Sequence, residues 1–164
     1  MTDPILPIGL ENTRIECTFP TGKSPPPSVF NNLSGTICLP ERDIRSMRID
    51  LEIDMGSIAT DVPAATQRLK SAEFFDVERY PQARFVASSI KPSTHTDTYA
   101  ITGTMSLHGM SRAVSFPTSI RLTDDLLAID GTLILRWSDF GMAEASKKNN
   151  ENVLMKISIR ARRC

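Results

Sequence analysis

Met47-Arg48-Ile49-Asp50-Leu51-Glu52-Ile53-Asp54-Met55 alternates an apolar with a charged residue at every step. A helix would scatter these side chains around its circumference. An extended chain points successive side chains to opposite faces and sorts them into one apolar and one wet side. The stretch therefore predicts a strand with one face on a core and the other in water.

The same period recurs on both sides of this segment. Ile15, Cys17 and Phe19 alternate with Arg14, Glu16 and Thr18. Tyr99, Ile101, Met105 and Leu107 alternate with Thr98, Thr102, Thr104 and Ser106, and Val114, Phe116, Ile120 and Leu122 with Ser115, Ser119 and Arg121. Over 126–137, Leu127, Ile129, Leu133, Leu135 and Trp137 share a side. Near the end, Val153, Met155, Ile157 and Ile159 alternate with Lys156, Ser158 and Arg160. Weaker strands fit Phe30–Cys38 and Ala83–Lys91, so the expectation is eight strands. One stretch breaks the period. From Asp61 to Phe74, alanines, Gln67, Arg68, Leu69 and Lys70 favour a helix of about three turns, with Asp61 as N-cap and Pro63 in the first turn. Pro25-Pro26-Pro27 excludes a central strand, so 20–28 is expected to be irregular, as is 1–9. Half-apolar strands bury their faces either in a two-sheet sandwich or in a closed barrel, and the pattern alone leaves both open.

Composition narrows the function. The chain has 164 residues, enough for one domain, with 40% hydrophobic and 23% charged residues. Nineteen basic and 19 acidic residues balance to zero net charge, which disfavours a nucleic-acid partner. Arg160, Arg162 and Arg163 read as a solvated chain end, with contact to anionic lipid headgroups as the sharper alternative. No run approaches the roughly 18–20 apolar residues of a membrane span. Asp3, Pro4 and Pro7 interrupt the first residues, so no signal peptide is legible; the expectation is cytoplasmic as the chain stands, and periplasmic if a signal has been removed. Three cysteines, Cys17, Cys38 and Cys164, make neither a disulfide framework nor a zinc motif, although Cys17 and Cys38 would face each other if their strands paired. Two histidines without ligand spacing give no metal site, no cofactor-binding glycine loop is present, and no nucleophile elbow or Cys/His pair marks a catalytic residue.

Several segments in order carry a family resemblance. They are Phe30 with Ser34-Gly35-Thr36-Ile37, Gly56-Ser57-Ile58-Ala59-Thr60, and Leu69-Lys70-Ser71-Ala72-Glu73-Phe74-Phe75-Asp76-Val77-Glu78-Arg79-Tyr80-Pro81. Ala83-Arg84-Phe85 with Ser88-Ser89, Tyr99 to Arg112 through the turn Leu107-His108-Gly109-Met110, and Arg136-Trp137-Ser138-Asp139-Phe140-Gly141-Met142 complete the set. From about Leu10 onward the chain resembles the YceI family. The resemblance implies an all-β, eight-stranded antiparallel lipocalin-like barrel with one short helix, about 61–74, enclosing an apolar channel for polyisoprenoid or other long-chain lipids. Dimers, and periplasmic or secreted members, also occur in that family. Two departures fall in the first half: Phe19-Pro20 stands where the first strand ends in a His, and Thr66-Gln67-Arg68 where the helix often has Asp-x-His.

On that reading the ligand-binding lining is Phe30, Ile49, Leu51, Ile53, Phe85, Tyr99, Ile101, Met105, Phe116, Ile120 and Trp137, with Met47, Met55 and Met155 as adaptable surface. Phe74, Phe75 and Phe140 lie in connections, where they either gate an end of the barrel or cover the end of its core, and Phe74 and Phe140 are counted with the ligand-binding residues. His108 is either a turn residue bonded to backbone or a group that meets a headgroup or works with Asp139; Arg136 and Asp139 are expected as a buried ion pair. Three functions remain side by side: a carrier or sequestering protein for an isoprenoid- or fatty-acid-like lipid, an enzyme such as a cyclase or isomerase using His108, Tyr99 or Asp130, and a structural protein with a filled core and a dimer face.

Overall fold

The computed structural model describes residues 5–7, 13–18, 28–38, 43–72, 74–123, 126–141 and 152–162. Its strands are β1 (Ile5–Pro7), β2 (Arg14–Thr18), β3 (Ser28–Phe30), β4 (Leu33–Cys38), β5 (Arg48–Asp54), β6 (Ile58–Ala59), β7 (Gln82–Pro92), β8 (Thr98–Leu107), β9 (Met110–Leu122), β10 (Leu126–Arg136) and β11 (Asn152–Arg162). Helix α1 (Pro63–Lys70) lies between β6 and β7. Every ladder is antiparallel, in the order β1-β4-β5-β7-β8-β9-β10-β11-β2-β3-β6.

The eleven segments reduce to nine strands once two bends are recognised, one more than the eight expected, because Ile5–Pro7 and Arg14–Thr18 stand as separate strands. β3 and β4 are one strand bent at Asn31-Asn32, and β5 and β6 are its hairpin partner bent at Met55–Ser57. The two bends are stitched together. Asn31 N–H donates to the Ser57 carbonyl (3.2 Å), Asp54 N–H to the Asn32 carbonyl (3.0 Å), and Asn32 Nδ2 to Asp54 Oδ2 (3.1 Å). β1 and β2 flank that same bent strand, β1 against β4 and β2 against β3. β2 also pairs with β11, so the ladders run from β5 through β11 and β2 back to the bent strand, and only the short segments β1 and β6 keep a single ladder each. The expected barrel is the observed one.

Alternation places the core. Ile49, Leu51 and Ile53 face inward opposite Ala87, Phe85 and Ala83 of β7, while Arg48, Asp50, Glu52 and Asp54 face out. Met47 and Met55 lie just outside β5 yet are buried. Two irregularities shape the wall. A bulge at 87–89 breaks the β7–β8 register beside Gly103. The β9–β10 ladder stops at Gly131 opposite Thr118, where the next β9 residue, Pro117, has no N–H to donate. Above that point the 3-10 turn Trp137–Phe140 packs against both strands.

Some expectations need correction. The helix is eight residues long rather than about three turns. Val62, not Asp61, is its N-cap, and it makes no side-chain cap. Thr60 organises the entry instead, its Oγ1 accepting from Val62 N–H and its N–H donating to Thr66 Oγ1, both 3.0 Å. The helix ends early because later N–H groups take its last carbonyls: Ser71 to Arg68, Phe75 to Leu69 and Val77 to Lys70. This turn carries Phe74 and Phe75 back into the barrel end. Within 1–9, Ile5–Pro7 is a strand, because Thr36–Cys38 offer it a ladder. Ser28 likewise starts β3, while 20–27 lies outside the described residues. Arg160 is a strand residue held to Asp130 (3.1 Å), not part of a loose tail; Arg163 lies outside the described residues. Cys17 stands opposite Ser28 and Met155, and Cys38 opposite Ile5 and Arg48, so the two do not meet and both are free thiols. Cys164 lies outside the described residues.

Candidate binding site in the barrel interior

The inward faces of the strands make one continuous apolar surface. Of the expected lining, Phe30, Ile49, Leu51, Ile53, Phe85, Ile101, Met105, Phe116 and Ile120 are all buried in a single cluster, and Tyr99 packs half-buried against it. Met47, Met55 and Met155 join the same cluster. Trp137 is the exception: it opens the 3-10 turn instead of ending β10, and its side chain lies outside what the structure describes. Among the described residues the buried polar side chains are Thr13, Ser28 and Thr118, and none is charged. Thr13 exchanges hydrogen bonds with the Arg160 backbone, and Thr118 donates to the Phe116 carbonyl (3.4 Å).

Small residues that the periodicity did not single out shape the wall. β7 presents Ala83, Phe85 and Ala87 in turn. A Cβ at Gly103 would meet the Phe85 ring at 3.0 Å, and one at Gly131 would meet the Phe116 ring at 3.2 Å. Each ring therefore lies on the backbone of a neighbouring strand, and the two rings tilt against each other with centroids 5.8 Å apart. An inward glycine beside an aromatic is visible in the sequence, but pairing it with that aromatic requires the register.

Strand direction gathers α1, the 71–81 connection, the His108-Gly109 turn and the Trp137–Phe140 turn at one end. That end is closed by Leu69, Phe74, Phe75 and Phe140, all at most 2% exposed. Phe75 meets Phe30 edge-on (6.3 Å), and the Arg68 guanidinium sits 5.2 Å from the Phe74 ring centroid. These phenylalanines cover the end of the core.

His108 is a clasp at the same end. His108 (φ 56°) and Gly109 (φ 75°) both take the left-handed region, which gives the two-residue turn that suits a right-twisted hairpin. A side chain at Gly109 would also strike the Tyr80 ring at 2.7 Å. His108 Nδ1 lies 3.1 Å from the Phe140 carbonyl, a contact in which Nδ1–H donates, and its ring packs on Tyr80 at 4.4 Å. Nε2 is buried without a partner. Burial pushes the imidazole below its ordinary pKa; the Phe140 carbonyl and Asp76 oppose that shift, and Arg79 adds to it. Asp139 and Arg136 are both exposed, so the expected buried ion pair is absent; the nearby carboxylate is at the surface because the 3-10 turn directs Phe140, not Asp139, inward. The three residues weighed for chemistry stand apart. His108 is at the α1 end, Asp130 faces out to Arg160, and Tyr99 pairs with Pro92 and Thr118 towards the other end. Among the described residues no group of three or more His, Cys, Asp or Glu side chains is placed to hold a metal ion, and no helix is long and apolar enough to cross a membrane.

Comparisons with known proteins agree with this architecture. A UPF0312 protein of Pectobacterium atrosepticum is 32% identical over 85 residues, 52% of this chain and 43% of that relative. One of Pseudomonas putida is 25% identical over 119 residues, 69% and 62% of the two chains, so the matches span less than two thirds of these relatives. The crystal structure of Burkholderia cenocepacia BcnA superimposes with a TM-score of 0.84 at 21% identity, covering 94% of this chain and 99% of that one. A polyisoprenoid binding domain from Saccharophagus degradans, implicated in plant cell wall breakdown, gives 0.74 at 14% identity over 99% and 100%. The Campylobacter jejuni YCEI protein gives 0.74 at 17% over 84% of each chain. At these identities the structures show a shared fold. Residues 11–161 match the YceI-like domain, and the chain belongs to that family.

Proposed function

We propose that the barrel takes up a long apolar or amphipathic ligand, isoprenoid- or fatty-acid-like, for carriage or sequestration. The observation that carries this reading is the character of the interior: a closed ring of inward apolar side chains, with no buried charge among the described residues. Such a wall favours a hydrocarbon tail by about 0.8 kcal/mol per buried CH₂ and needs no specific hydrogen bond to hold it. A barrel of about eight strands is wide enough for packed side chains or one small ligand. Resting the Phe85 and Phe116 rings on glycine backbone keeps two of the largest inward groups against the wall. Family membership and the fold shared with a polyisoprenoid binding domain support the same ligand class.

The test is native mass spectrometry of the purified chain, followed by organic extraction and titration with a fluorescent long-chain probe. A retained lipid mass or saturable probe uptake is expected. A clean apo mass together with no uptake of any long-chain probe overturns the reading.

A further inference from the structure

Ser28 is the one buried side chain among the described residues whose hydroxyl has been left unspent. It is 1% exposed, its Oγ has no hydrogen-bond partner, and it shares the inward face of β3 with Phe30. A buried hydroxyl without a partner is costly, and native structures rarely keep one without a use. Its neighbours are known from the ladders. Ser28 stands opposite Cys17, Cys17 opposite Met155, and Met155 opposite Leu133, all inward and buried. The polar spot is thus a hydroxyl beside a thiol, set in apolar wall at the end where α1 lies. Both groups are neutral: burial pushes the Cys17 thiol up to about 12, with the Glu16 charge adding to the shift.

We propose that Ser28 Oγ is the hydrogen-bonding anchor for the uncharged polar end of the ligand, an alcohol, aldehyde or similar neutral oxygen function, with the apolar tail running down the barrel. The proposal rests on the carrier reading and adds a selectivity to it. A carboxylate or phosphate drawn to this position would lose its hydration and find no cation, because no buried side chain among the described residues is charged. A neutral oxygen loses less and gains the Ser28 hydroxyl as a donor. Thr118 offers no equal alternative, since its hydroxyl is committed to the Phe116 carbonyl.

The experiment uses the full delipidated chain and two matched probe series, each displacing a fluorescent long-chain reporter. One series is geranylgeraniol, the same hydrocarbon lacking its hydroxyl, and geranylgeranyl phosphate; the other is hexadecanol, hexadecane and palmitate. The expected order is alcohol tightest and anion weakest. In Ser28→Ala the alcohol loses roughly three- to tenfold in affinity, the scale of one neutral hydrogen bond. The hydrocarbon stays unchanged. The comparison within the unmodified protein needs no variant, and Ser28→Ala removes a group without partners, so circular dichroism and the melting temperature are expected to match or exceed the parent. If the probes bind but Ser28→Ala leaves the alcohol-to-hydrocarbon ratio unchanged, or the anion binds as tightly as the alcohol, the anchor is wrong and the carrier reading stands. If no probe of either series binds, both fall together.

Discussion

Gly103→Ala tests whether the bulge on β7 is a rigid part of the wall. A Cβ added at Gly103 would lie 2.3 Å from the Val86 carbonyl oxygen, 2.9 Å from Ala87 Cα and 3.0 Å from the Phe85 ring. Real Cβ contacts stay beyond 3.0 Å, so the Val86 carbonyl must retreat by at least about 0.7 Å. Two of the three obstacles are backbone, and they sit at the shifted register between Ala87 and Ser89, so relief requires remaking ladder bonds on β7 and β8. Overpacking against backbone belongs at the upper end of the usual range, about 3 kcal/mol. With a urea slope of about 2 kcal/mol/M, the unfolding midpoint should fall by about 1.5 M, and the melting temperature by roughly 6–12 °C. The assay is urea unfolding followed by circular dichroism, with two internal standards. At Gly131 the nearest atoms are the Pro117 carbonyl oxygen at 3.0 Å and the Phe116 ring at 3.2 Å, which predicts a smaller loss of about 1 kcal/mol. At Gly56 the nearest atom is Asp54 Oδ1 at 3.4 Å, an ordinary contact, which predicts a change within about 0.5 kcal/mol. A Gly103→Ala midpoint indistinguishable from that of Gly56→Ala would refute the rigid-bulge argument.

Phe74→Ala should destabilise the fold by about 3–5 kcal/mol in the same assay, because a fully buried ring at the closed end leaves a void that α1 cannot fill; a loss under about 1 kcal/mol would mean the end is loosely packed. His108 holds its proton less well folded than unfolded. Its contribution is therefore fully present above its unfolded pKa of about 6.5 and is lost as pH falls below that value through the lower folded one. Melting temperature measured from pH 8 down to pH 5 should decline more steeply in the parent than in His108→Asn, a residue that tolerates the left-handed turn position, and parallel slopes would contradict this. The Arg84 fork, through its hydrogen bonds above all, holds Asp50 below the usual carboxylate range despite opposing desolvation. That stabilisation is present above about pH 3.9 and lost on further acidification, so Arg84→Ala should flatten the acid limb of the stability curve, and an unchanged limb would count against the pair. Cys17 is fully buried and burial pushes its thiol well above the ordinary range, so intact-mass analysis after maleimide treatment should find Cys17 unmodified in the native protein; rapid native labelling would mean the barrel opens there.

The period of two was a local property, and it was enough to name the strands and their faces. Met47 to Met55 already showed which side chains point inward, and the same parity placed Ile101, Phe116 and Ile157 correctly. Pro63 and the alanines likewise marked the helix, because propensity acts over a few residues. What lay beyond the sequence depended on partners distant along the chain. Nothing near Cys17 specifies that it faces Met155 across the β2–β11 ladder that closes the ring, and hence whether the strands form a barrel or a sandwich. The length of α1 was set by the N–H groups of Phe75 and Val77 competing for its carbonyls, and the role of His108 by the Phe140 carbonyl 32 residues away. Ser28 was read as loop because three prolines precede it; its inward, unpartnered hydroxyl emerged only when β3 was placed between β2 and β6. Side-chain parity follows from backbone geometry within one strand, whereas closure, register and the pairing of buried polar groups are settled by which strands meet in three dimensions.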